Sequence, residues 1–112
     1  MNKNLKLVIN NTFAKNKNFF FEKHELKSIL NLYARMVSNG SWKDYGLAIS
    51  SKQVTFSVFK NATENAVYMI CKKFKPVNQN LKYSITDSNG KILNNSSSLE
   101  SLILKTNWKK IK

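Results

Sequence analysis

The chain has 112 residues, 42% of them hydrophobic, and sets 19 lysines and arginines against six acids for a net charge of +13 at pH 7. That length suits one domain with one core. No run approaches the roughly 18 apolar residues that a membrane-spanning helix needs, and Leu7-Val8-Ile9 is the only unbroken apolar run in the first ten residues, so neither a membrane partner nor a secretion signal is expected.

In chain order, residues 1–18, rich in Asn and Lys, are expected to be a mobile basic arm, with one short alternating stretch at Leu5 to Ile9 that can supply an edge strand. Phe19-Phe20-Phe21 is dense enough for a short buried strand leading into a helix. From His24 to Asn39 the residues Leu26, Ile29, Leu30, Tyr33, Met36 and Val37 recur at spacings of three and four, which predicts one amphipathic helix. Glu22 and Glu25 suit its positive end, and Asn39-Gly40 suits its stop.

After the turn Trp42-Lys43-Asp44-Tyr45, a strand at Gly46 to Ser50 precedes alternating Val54, Phe56 and Val58 in a hairpin. Ala66 to Phe74 is apolar on both faces, as a strand near the sheet centre should be, and Pro76 closes it. Leu81, Tyr83 and Ile85 alternate before the turn Asp87-Ser88-Asn89-Gly90 and a last strand at Lys91-Ile92-Leu93. Ser97, three residues before Glu100, has the spacing of a capping box and predicts a short final helix.

The expected fold is therefore α+β: an antiparallel sheet of about five strands against one long amphipathic helix, with a short C-terminal helix. A single domain over residues 19–106 lies between the arm and a basic tail at 107–112. One helix covers only one sheet face, which leaves the other to solvent or to a second copy of the chain in a homodimer.

The chemistry is mostly excluded. One His, one Cys and six scattered acids are too few for a metal centre, and no glycine motif cradles a phosphate, so neither metal nor cofactor is expected. The only histidine has no sequence link to Cys71 or to any serine, so no catalytic residues are assigned and the chain reads as a non-enzyme. His24 reads as an ordinary helix residue, and Cys71, in an apolar run, as a core thiol of a reducing compartment, the cytoplasm.

Charge is the loudest feature. It points to a polyanion, with codon bias as the alternative source, since lysine and asparagine, the residues of A/T-rich codons, dominate the composition. Lysines gather at Lys72, Lys73 and Lys75 and in the tail around Trp108, Lys109 and Lys110. These are the candidate nucleic-acid contacts, with weak sequence preference expected because lysines grip phosphates rather than read bases. Arg35, the one arginine, suggests a planar fork for a carboxylate, and Asp44 is the partner proposed for it. Trp42, Asp44 and Tyr45 form a turn that, with the uncovered sheet face, is the alternative surface for a protein partner.

Several segments resemble DUF2794, a small alphaproteobacterial family of unknown function. They are Phe21-Glu22-Lys23-His24-Glu25-Leu26, Leu32-Tyr33-Ala34-Arg35-Met36-Val37, Gly40-Ser41-Trp42-Lys43-Asp44-Tyr45 and Phe56-Ser57-Val58-Phe59-Lys60-Asn61-Ala62, thinning afterwards to Tyr68, Lys72, Pro76, Tyr83-Ser84, Gly90 and Ile92-Leu93. Glu22-Lys23-His24 departs from the family's acid followed by two arginines. The resemblance implies a bacterial cytoplasmic protein and brings no activity with it.

Overall fold

In the computed structural model, residues 20–61 and 65–108 are described. The arm at 1–18 and the tail lysines Lys109 and Lys110 lie outside them. The described chain runs α1 (Lys23–Ser38), β1 (Asp44–Ile49), β2 (Gln53–Phe59), β3 (Tyr68–Lys73), one 3-10 turn (Gln79–Leu81), β4 (Tyr83–Asp87), β5 (Ile92–Ser96) and α2 (Leu99–Lys105). The five strands form one antiparallel meander in chain order, with β3 at its centre, as the apolar character of both its faces predicts.

Strand alternation divides the sheet into two unlike surfaces. Across the inner face, Leu47, Phe56, Ile70 and Ile85 stand in one register row and Val54, Lys72 and Tyr83 in another. Val54, Phe56, Val58, Ile70 and Ile85 are fully buried there, together with Ile29 and Leu32 of α1 and Leu99 and Leu102 of α2. Across the outer face run Ala48, Thr55, Cys71, Ser84 and Asn95. Both helices contribute to the one core, and no helix among the described residues is long and apolar enough to cross a membrane.

The buried stripe of α1 is Glu25, Ile29, Leu32 and Met36. It is rotated from the face expected from the apolar periodicity, since Leu30 and Val37 are 38% and 40% exposed. An acid, Glu25, holds one position of the stripe, which an apolar count does not register. Glu22 caps the helix and exchanges hydrogen bonds with Glu25 in a capping box, and the chain leaves it through Gly40, whose φ of +83° is a left-handed conformation that favours glycine.

Three expectations need correction. Phe20 and Phe21 are buried, at 8% and 4% exposure, but they are not in a strand; they enter α1 as irregular chain whose rings sit edge to face. The cap of α2 is Ser98 rather than Ser97, and its hydroxyl accepts the Ser101 N–H at 3.3 Å. The last strand begins one residue later than expected because the Asp87 carboxylate accepts the N–H groups of Asn89 and Lys91, which places Lys91 in the turn.

Candidate nucleic-acid interface

The charged clusters fare differently according to which face of the sheet their strand position selects. Lys72 and Tyr83 stand opposite each other on the inner face, and both point under the first turn of α1. The Lys72 ammonium is 4% exposed as a residue and lies 2.8 Å from the Glu25 carboxylate, with a second bond of 2.9 Å to the Phe20 carbonyl. The Tyr83 hydroxyl donates to the other Glu25 oxygen, and the Glu22 amide donates to the first at 2.7 Å. Lys72, expected at a phosphate-binding surface, is thus an internal group of the core, because alternation along β3 gives it the parity of Tyr68 and Ile70.

This buried triad has a definite electrostatic balance. Burial pushes the Glu25 carboxyl up, but the bonds from Lys72, Tyr83 and the Glu22 amide, with the ammonium charge, outweigh it and hold the group below the ordinary carboxylate range. Burial, then the bond to Glu25 and the surrounding acids, pushes the Tyr83 hydroxyl well above its usual range. The glutamate stays ionised and the tyrosine neutral. Sequence reasoning placed Glu25 only at the helix dipole; the available signal was its position four residues before Ile29 and seven before Leu32, on the buried stripe.

Of the aromatic candidates, Trp42 is internal and Tyr45 and Trp108 are half-buried. Trp42 is 1% exposed and meets Tyr68 and Trp108, the latter edge to face at 5.6 Å. Tyr45 stacks on Phe56 at 5.0 Å and 7°. Trp108 packs on Tyr68 at 5.1 Å while its indole N–H donates to the Ile103 carbonyl. Trp42 as a surface anchor is therefore corrected: its ring is enclosed with Tyr68 and Trp108 in the core.

Arg35 is exposed on α1, and the ion pairs among the described residues do not join it to Asp44. The expected pair is absent because Asp44 opens β1, where its carboxylate accepts the Tyr45 N–H at 2.8 Å. Its charge is felt instead by Tyr33 and Tyr45, whose hydroxyls are pushed up by burial first and by Asp44 second. On the outer face, burial likewise raises the Cys71 thiol, against weaker opposing effects of Thr55, Lys73 and Ser84. An ordinary, un-activated thiol results.

Lys73 and Lys75 do converge. With Lys52, which the sequence did not single out, and with Ser51 and Gln53, they line a recess of about 510 Å³ where the β1–β2 turn meets the end of β3. No acid lines it. The backbone fixes this corner: the Phe74 N–H donates to the Lys52 carbonyl at 3.0 Å, and the Lys73 N–H to the Lys82 carbonyl at 2.8 Å. The Ser50 hydroxyl accepts the Lys52 and Gln53 N–H groups, each at 3.2 Å, which tightens the turn. Three lysines and no acid give this concavity a positive character.

Among the described residues no group of three His, Cys, Asp or Glu side chains is arranged to hold a metal. The model of a family described as protein of unknown function matches residues 19–103, from the phenylalanine run to α2. Neither the curated proteins nor the solved structures give a match.

Proposed function

The chain belongs to the DUF2794 family, and we propose that it is a small basic binding module, without a catalytic role, that holds nucleic-acid phosphates at the lysine recess. The observation that carries this reading is the acid-free convergence of Lys52, Lys73 and Lys75 in a chain of net charge +13. Lys109 and Lys110 extend the same attraction as part of the basic tail. Lysines without an arginine fork contact the backbone rather than base edges, so affinity depends steeply on salt and little on sequence. The single cysteine, with no second one in the chain to pair with, supports a reducing compartment, and the same reading assigns the module to a bacterial cytoplasm.

The test is fluorescence anisotropy of labelled single-stranded RNA and duplex DNA across a salt series. Lys52→Gln/Lys73→Gln/Lys75→Gln should flatten the duplex salt slope by about two to three, near the value for three lost phosphate contacts. Lys23→Gln/Lys27→Gln/Lys91→Gln, which removes the same charge elsewhere, should change it by less than about one. Equal losses in the two variants would reduce the recess to background charge.

A second reading, association with a protein or with a second copy, is favoured by the outer sheet face, where the small side chains Ala48, Thr55 and Ser57 are partly exposed. Trp42, buried in the core, does not serve it as an anchor, whereas Tyr45 is half-buried. Sedimentation that stays monomeric across a wide concentration range would count against the homodimer.

A further inference from the structure

Arg35 has a setting that the lysine recess does not share. Asn31, Leu32 and Arg35 lie along one face of α1, across a groove of about 260 Å³ from Glu100, Ile103 and Leu104 of α2. The floor is apolar and incompletely covered: Leu104 is 85% exposed. Glu100, the acid of the groove, is engaged at the other end of α2, with a carboxylate oxygen 3.7 Å from His24 and another 3.4 Å from the Ser98 hydroxyl. Among the described residues Arg35 has no ion pair, so its guanidinium stands uncompensated at the rim of an apolar concavity.

We propose that this groove docks the C-terminal residue of a partner protein, an apolar side chain resting on Leu32, Ile103 and Leu104 while its α-carboxylate is gripped by Arg35. Charge complementarity selects the occupant. A guanidinium fork matches a carboxylate bidentately, and the Asn31 amide, one helical turn away, is placed to donate a further bond. The volume is below the usual range for a drug-sized ligand and fits one residue rather than a helix. A nucleic-acid strand gains little from an aliphatic floor. Capture of a chain terminus is a recurrent recognition mode, and here it is independent of the lysine recess.

The full chain, labelled with ¹⁵N, is titrated with N-acetyl-leucine, which carries the required side chain and carboxylate and nothing more. Saturable shifts are expected at the amides of Asn31, Arg35, Ile103 and Leu104 with a Kd of about millimolar, about tenfold weaker with N-acetyl-leucinamide and lost in Arg35→Gln. Leu104→Asp, at an exposed position that folding tolerates, should abolish them too, whereas Lys52→Gln/Lys73→Gln/Lys75→Gln should leave them intact. Absence of saturable shifts at these amides, or shifts indifferent to the carboxylate or to Arg35, would overturn the proposal. A labelled peptide ending in free leucine should bind more tightly than the same peptide with leucine-glutamate inside an amidated chain; equal binding would overturn the assignment to a chain terminus.

Discussion

Lys72 and Lys73 are neighbours of identical chemistry on one strand, and they belong to different parts of the molecule. Lys72 points inward, is 4% exposed and bonds Glu25 at 2.8 Å; Lys73 points outward and lines the recess with Lys52 and Lys75. One step of strand parity converts a solvated charge into a buried ion pair. The comparison teaches that a lysine cluster in a sequence is a set of candidates for two surfaces, and that the sheet assigns each member by its position.

The sharpest way to break the contrast is to remove the acid. Glu25→Ala leaves a buried ammonium with only the Phe20 carbonyl, and urea unfolding should show a loss of about 3–5 kcal/mol. Replacing all three members, as Glu25→Leu/Lys72→Met/Tyr83→Phe, should recover most of that loss and can equal the parent, because desolvation of the charges disappears with them. A triple variant no more stable than Glu25→Ala would show that the triad contributes more than its own electrostatics. The acid limb gives a second check. The Glu25 pKa is depressed in the fold, so its contribution is full above the ordinary value of 4.5 and is lost as pH falls through the lower folded value. Glu25→Gln should therefore flatten the decline in stability below pH 4.5.

Smaller effects follow. Ser98→Ala removes the cap of α2 and should cost about 1 kcal/mol in thermal or urea unfolding. At the bottom of the scale, Lys73→Gln should leave stability within about 0.5 kcal/mol, whereas Lys72→Gln at the adjacent position should cost several times more. Equal effects of the two glutamine variants would contradict the assignment of their faces.

The sequence made the elements readable and the charged interior unreadable. Periodicity located α1 and all five strands because apolar residues at period 3.6 or 2 report burial directly. Asn39-Gly40 and the Asp87 turn were visible because their chemistry is local. Glu25 and Lys72 are 47 positions apart, and only the register of β3 against β4 and the placement of α1 bring them together. Charge patterns read along the chain carry no such information. Trp42 failed as an interface anchor for a related reason: the segment between α1 and β1 folds its ring inward, where Tyr33, Tyr68 and Trp108 close around it. Lys52 was missed because one lysine in a turn looks like any other until the end of β3 is set beside it.

The meander has a kinetic consequence. Every strand pairs with its successor or predecessor in the chain, so the sheet can assemble hairpin by hairpin, closing short loops whose entropy cost is small. The capture of α1 is the exception, since the bonds from Glu25 to Lys72 and Tyr83 span 47 and 58 positions. The closures that build the sheet are short and the one that joins α1 to it is long, and the ion pair beneath α1 is the latch across that long closure.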